Sequence, residues 1–162
     1  MNPRFILTLG STVLVFAIGC GAGRTLVVKP SETKLRVASL NVSEANSPVG
    51  VPTEVKSAFQ EKLEQLLYGE GGFQKGKELT IRYRFIQFDS GNQFARWFTG
   101  GLGNTGEGSL TVEAKFFDSS DQEVGTIQAE GKIGSGILGG GFGFAVDKAA
   151  EQIAEYTKVN YK

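Results

Sequence analysis

Apolar and polar positions follow regular periods along much of this chain, and they predict both helices and strands. From Pro52 onward, apolar side chains recur at steps of three and four through Leu67, which predicts an amphipathic helix closed by the glycines at 69–72. Residues 79–88 alternate as a strand does, and the phase shifts at Ile86 and Phe88, which indicates a β-bulge. The sequence therefore mixes the two periods.

The remaining elements complete an α+β pattern. The sequence predicts strands at 25–28, 35–42, 109–117 and 123–133, a turn at 118–122, and a last helix over 144–159. The strands at 109–117 and 123–133 read as a hairpin, because the turn between them is rich in Asp and Ser. We predict a two-layer α+β domain with a mostly antiparallel sheet and two main helices, in the order β-α-β-(short α)-β-β-α.

A short aromatic turn supplies the short helix of that order. Phe94, Trp97 and Phe98 are spaced i, i+3, i+4, so they share one face of a helical turn. Two interpretations remain open for this face. It is either a plug of the domain's own core or an exposed aromatic contact with a lipid interface or a partner.

Two glycine-rich segments, 100–108 and 131–143, flank the predicted hairpin. The second contains Ile137, Leu138 and Phe142 among glycines with small-xxx-small spacing. One interpretation is a loop that covers the domain's own core. The other is a surface that meets a membrane or another subunit, and in that case both segments would pack between copies or on lipid.

The N-terminal residues read as an export signal. Arg4 precedes an apolar run over 5–19, which is too short to span a bilayer and typical of a secretory signal. The run ends at Gly19, directly before Cys20, and a small residue before a lone cysteine resembles the lipobox of bacterial lipoproteins. That resemblance implies cleavage between Gly19 and Cys20 and acylation of Cys20. The alternative is an ordinary secretory signal with a chance cysteine.

This interpretation divides the chain into a signal peptide (1–19), a lipidated tether and entry segment (20–34) and one domain (35–162). The signal carries Arg4 alone among charged residues, so the remaining chain has 16 basic and 17 acidic side chains. Such a balance offers no electrostatic footprint for nucleic acid, and we expect no nucleic-acid partner.

Composition removes several kinds of chemistry. The chain has no histidine, which excludes Ser-His-Asp and Cys-His nucleophile systems and His-ligated zinc. Cys20 is the only cysteine, so an acylated Cys20 would leave no thiol for a metal site. The acidic residues are scattered, and they nominate no catalytic carboxylate pair. We predict a protein that is not an enzyme, with no cofactor, no metal and no catalytic residues.

The second half of the chain resembles a known family over residues 89–158. The matching features are a glycine at 91 and the aromatic turn at 94–98, then a glycine-rich link, the predicted hairpin, and the helix around 150–156. In this pattern the chain is similar to an uncharacterised bacterial lipoprotein family, domain of unknown function 4410. The resemblance implies an envelope lipoprotein without known catalysis.

These observations favour a lipid-anchored, non-enzymatic protein of the bacterial cell envelope. We expect it at the outer membrane, facing the periplasm, because Gly21 follows the cysteine where an aspartate often retains lipoproteins at the inner membrane. Its partners would be the membrane, through the lipid, and an unknown envelope protein or a second copy of the chain. The candidate contact residues are Phe94, Trp97, Phe98, Ile137, Leu138 and Phe142.

Overall fold

The protein forms one mixed sheet with two helices packed on the same face. A computed structural model describes residues 23–31, 35–89, 108–132 and 142–162. The strands are β1 (Gly23–Lys29), β2 (Ser39–Glu44), β3 (Gln74–Lys75), β4 (Leu79–Asp89), β5 (Ser109–Asp118) and β6 (Glu123–Lys132), and the helices are α1 (Thr53–Glu64) and α2 (Phe142–Tyr161). Within these residues the sheet order is β1-β6-β5-β4-β2-β3.

The predicted fold class is confirmed. The pairs β1–β6, β6–β5 and β5–β4 are antiparallel, and β2 runs parallel to β3 and to β4. A parallel neighbour needs a crossover, and α1 supplies it between β2 and β4. The predicted short helix at 94–98 lies outside the described residues.

The predicted bulge in β4 is also confirmed. The register with β5 is continuous except between Phe85 and Gln87, where Ile86 has no opposite partner. The extra residue shifts the alternation of side chains by one position, so Phe88 faces the same core as Phe85. The alternation in the sequence thus located a real irregularity of the sheet.

Helix α1 begins where the sequence predicts, and the helical path ends at the predicted glycines after a π-helical turn that the sequence did not predict. The Pro52 carbonyl accepts hydrogen bonds from the backbone N–H groups of Val55 and Lys56, so the helix begins one residue after the proline. After Glu64 the chain continues through a π-helical turn, Gln65–Glu70, and Gly72 then adopts a φ of 65°. A positive φ favours glycine, which explains why the helix ends there.

The start of one predicted strand differs from the structure, and one short strand was not predicted. The strand predicted over 35–42 begins only at Ser39, because the preceding backbone has other partners. The Val37 N–H donates to the Tyr161 carbonyl at 2.8 Å, and the Ala38 N–H donates to the Glu78 carboxylate at 2.7 Å. The two-residue strand β3 was not predicted, since both of its residues are exposed and give no apolar period.

The core lies between the sheet and the two helices. Phe59 of α1 is fully buried, and its ring lies 5.0 Å from that of Tyr83 and 5.4 Å from that of Phe85. Phe116 of β5 stacks on Tyr161 of α2 at 5.1 Å. These aromatic contacts join both helices to the central strands.

Helix α2 approaches the sheet closely because glycine and alanine meet at the contact. A Cβ atom at Gly131 would lie 1.9 Å from the carbonyl oxygen of Ala145. A side chain at Gly125 would lie 2.6 Å from the Tyr161 hydroxyl. The contact of Ala145 with Gly131 lets α2 pack closely on the sheet, and β6 supplies the two glycines that this approach requires.

Candidate binding surface

Four strands begin or end at one end of the sheet, and the first of them follows the predicted anchor in the sequence. The register places Gly23 opposite Gly131, Ser109 opposite Lys132, and Asp89 opposite Ser109. We call this end of the sheet the tether end. It is where β1 and β5 begin and where β4 and β6 end.

Both stretches that contain the glycine-rich segments are joined to the described structure at the tether end. Residues 90–107 connect Asp89 to the start of β5, and residues 133–141 connect β6 to α2. Helix α2 also starts near this end, since Ala145 contacts Gly131. Three separate stretches of sequence therefore have their attachment points side by side.

Most of the predicted site residues fall outside the described residues. These are Gly19, Cys20, Phe94, Trp97, Phe98, Ile137 and Leu138. Phe142 is the first residue of α2, which places its backbone near the tether end. The structure therefore locates the attachment points of these stretches, and their contact roles stay predictions.

Gly131 belongs to the predicted glycine-rich segment 131–143 and has an intramolecular role in the structure. Its missing side chain admits the backbone of α2, as described above. Gly143 lies in the first turn of α2, and apart from the adjacent backbone of that helix no atom of the described residues lies within 4 Å of its Cβ position. The glycines of this segment thus differ in role, and at least one serves the domain's own packing.

Strand β1 is an edge strand with an unusual exposure of apolar side chains. Leu26, Val27 and Val28 are 52%, 38% and 53% exposed. The strand predicted over 25–28 is thus present, but the exposure of these three residues was not predicted. The available signal was the run of three apolar residues without alternation, because in an edge strand such a run leaves apolar side chains on the surface.

The face of the sheet turned away from the helices is polar and carries ion pairs. We call it the polar face. Arg84 on β4 pairs with Glu113 on β5 at 2.7 Å, and Arg82 pairs with Asp121 at 2.5 Å. Successive side chains of a strand point to opposite faces, so these charges alternate with the buried core residues. The result is a charged surface with mixed signs.

The pKa shifts of the titratable groups follow from burial and from local hydrogen bonds. Burial raises the pKa of the fully buried Tyr161 to about 12. A hydrogen bond donated by the Thr126 hydroxyl lowers the pKa of Glu123, and Lys115 adds to that effect. Each of these two shifts has its cause in the immediate surroundings of the group.

The described residues contain no group of three or more side chains suited to hold a metal ion. In the same residues, no helix has the length and hydropathy of a membrane span. One open cavity of about 420 Å³ lies near the beginning of β4, away from the tether end, beside Phe73 and Arg36. There the Lys162 ammonium donates to the Gly71 carbonyl and lies 5.2 Å from the centre of the Phe73 ring.

Solved PelC structures share this fold at low sequence identity. A PelC dodecamer from Paraburkholderia phytofirmans is 13% identical with a TM-score of 0.54, and the alignment covers 86% of this chain and 99% of that one. A variant PelC dodecamer from the same organism is 14% identical with a TM-score of 0.52, covering 86% and 98%. A minor lipoprotein from Acinetobacter baumannii is 13% identical with a TM-score of 0.41, covering 76% and 94%.

At these identities the PelC likeness establishes the fold and nothing more. No curated protein matches the chain. A family model matches residues 33–136, which is more than half of the sequence. That span includes β2 to β6 and helix α1, so it covers most of the sheet described above. The chain therefore belongs to the family described as Domain of unknown function (DUF4410).

Proposed function

We propose that this protein is a lipid-anchored, non-enzymatic binding or scaffolding module of the bacterial cell envelope. The observation that carries the proposal is the strand register at the tether end. Cys20 precedes Gly23 by three residues, which span at most about 10 Å when fully extended. An acyl anchor on Cys20 would therefore hold the tether end close to the bilayer.

The same geometry gives a role to the two glycine-rich segments. Their described flanks lie beside Gly23, so a bilayer at the tether end would be near both. In this proposal Phe94, Trp97, Phe98, Ile137, Leu138 and Phe142 contact the membrane or an envelope partner. Tryptophan suits a lipid interface, because its ring is apolar and its N–H can form a hydrogen bond with water, and the phenylalanines add apolar area beside it.

The anchor is tested by the intact mass of the protein from membrane and soluble fractions, wild type against Cys20→Ser. The proposal expects a wild-type chain that starts at Cys20 with added acyl mass, and a variant without that mass that leaves the membrane fraction. A soluble wild type with a free thiol would refute the anchor. Separation of inner and outer membranes then tests the expected outer-membrane location, which rests on Gly21.

The membrane contact has its own test, because Trp97 is the only tryptophan in the chain. The lipidated protein is reconstituted into phosphatidylethanolamine and phosphatidylglycerol vesicles that contain brominated lipid. Quenching of the tryptophan fluorescence is expected if the aromatic turn reaches the bilayer. A blue-shifted emission that brominated lipid does not quench would instead support the core-plug interpretation.

A second candidate function is self-assembly through the segments 100–108 and 131–143. The PelC structures that share the fold are dodecamers, and nearly the whole of that chain is covered. In this alternative the detergent-solubilised protein runs as a defined oligomer in native mass spectrometry, and Gly140→Val breaks it. A monomer that is indifferent to Gly140→Val would remove the alternative.

A further inference from the structure

The edge of strand β1 carries the largest run of exposed apolar side chains in the described part of the chain. Leu26, Val27 and Val28 are exposed on this strand, and Val159, the other exposed large apolar residue in this part of the chain, lies on α2. Leu26 and Val27 flank the strand on opposite faces, since they pair with Gln128 and Ile127. An exposed edge strand with apolar side chains favours pairing with another strand, so β1 is a candidate interaction surface.

The backbone of β1 is also available for pairing. Within the described residues it pairs with β6 on one side only and ends the sheet. Edge strands are often protected by a lysine, a proline or a β-bulge that hinders the approach of another strand. In β1 these features lie near the ends: Arg24 and Lys29 are its cations, the register shifts between Val27 and Lys29, and Pro30 follows the strand. The stretch from Gly23 to Val27 pairs with β6 without interruption.

The charges around β1 specify what can pair with it. At the beginning of the strand, Arg24 and Lys132 share the carboxylate of Glu130, at 3.3 and 3.4 Å. At its end, Lys29 and Lys115 both interact with Glu123. Each end of β1 thus has two cations for one carboxylate, and an apolar centre separates two positive ends.

A second copy of the chain fits this pattern poorly. Antiparallel pairing of β1 with β1 of another copy would set Arg24 near Lys29 at both ends, and like charges placed opposite each other destabilise strand pairs. The opposite edge of the sheet is a poor acceptor for β1, since the two-residue β3 covers the start of β2.

We propose that β1 accepts an extended polypeptide segment with an apolar centre and an acidic residue near each end. The segment would add a seventh strand to the sheet, in which backbone hydrogen bonds supply affinity and the flanking carboxylates supply selectivity. This inference rests on the binding role proposed above and names its partner class.

The test uses the full chain purified from membranes in detergent and three labelled heptapeptides. The first has an Ile-Val-Ile centre and a glutamate at each end, and the second has lysines in place of the glutamates. The third repeats the first with alternate N-methyl groups that remove its hydrogen-bond donors on one edge. We expect saturable binding of the first, about tenfold weaker binding of the second and none of the third.

Variants of the protein sharpen the result. The double variant Arg24→Glu, Lys29→Glu is expected to invert the preference toward the lysine peptide. The matched control Lys75→Glu, Lys77→Glu reverses two exposed charges at the other edge of the sheet and should leave binding unchanged. Circular dichroism confirms that each variant is folded, and the peptide comparison on the wild type does not depend on them.

Three results would overturn the inference. They are equal binding of the acidic and basic peptides, binding that survives N-methylation, and no binding because β1 is occupied by another copy of the chain. The last is recognised by an oligomer that Leu26→Lys dissociates. The intact mass at Cys20 is measured on the same preparation. A correct acyl mass without peptide binding therefore overturns only the strand-acceptor role, and a missing acyl mass overturns only the anchor.

Discussion

Substitution of Gly131 by alanine tests how α2 is held on the sheet. The new Cβ would lie 1.9, 2.7 and 2.9 Å from the carbonyl oxygen, carbonyl carbon and Cα of Ala145. Favourable contacts between carbon atoms lie at about 3.5–4.0 Å. All three neighbours are backbone atoms, so no side-chain rotation relieves the overlap, and α2 itself must shift.

The expected cost lies at the upper end of overpacking effects, about 3 kcal/mol of unfolding free energy. With a urea dependence of about 2 kcal/mol per M, the midpoint of unfolding falls by about 1.5 M. The measurement is urea unfolding followed by far-ultraviolet circular dichroism. An unchanged urea dependence would show that the stability has changed while the surface exposed on unfolding has not.

Gly143→Ala is the matched control. It makes the same chemical change in the same part of the chain, yet its Cβ would meet no atom of the described residues within 4 Å outside the adjacent backbone of its own helix. Because both substitutions lower the entropy of the unfolded chain equally, their difference isolates the contact with Ala145. We expect Gly143→Ala to stabilise the protein by up to about 1 kcal/mol. Two variants within about 0.5 kcal/mol of each other would refute the close-packing argument.

Three further predictions follow from the described contacts. Phe59→Ala removes a fully buried ring between two aromatic side chains and should lower the unfolding free energy by about 3–5 kcal/mol in urea unfolding. Arg84→Ala leaves Glu113, whose side chain is 11% exposed, without its ion-pair partner and should cost about 1–3 kcal/mol, whereas Arg24→Ala, at an 80% exposed side chain, should cost under about 0.5 kcal/mol. The pKa of Tyr161 rises from 10.0 to about 12 on folding, so the unfolded chain loses this proton first as the pH rises. Stability present below pH 10 should therefore decline toward pH 12, and Tyr161→Phe should make that decline shallower in unfolding curves taken across this range.

The local periodicity of apolar residues predicted much of the fold. The steps of three and four after Pro52 located α1, and the phase shift at Ile86 located the bulge in β4. These features are readable because each depends on which side of one element faces the core. The start of β2 was misplaced, because the hydrogen bonds to Tyr161 and Glu78 that replace strand pairing there leave no trace in the apolar pattern. Strand β3 was missed, because its two residues are exposed and show no apolar alternation.

The candidate surface could be recognised only from the sequence and the strand register together. The sequence identified the aromatic and glycine-rich segments and the cysteine as separate features. That their attachment points lie at one end of the sheet follows from strand register alone, which joins Gly23, Asp89 and Lys132 across more than a hundred residues of chain. The exposure of Leu26 and its neighbours likewise required knowing that β1 ends the sheet.

The sequence by itself determined the fold class, the helix and strand phases, and the absence of histidine and of a second cysteine, because these are local or compositional properties. The tertiary structure decided the sheet order, the pairing of Gly131 with the backbone of Ala145, and the edge position of β1. The physical reason is that strand pairing and helix docking are contacts between distant parts of the chain. A local pattern specifies which face of an element is buried, and it does not specify which element covers that face.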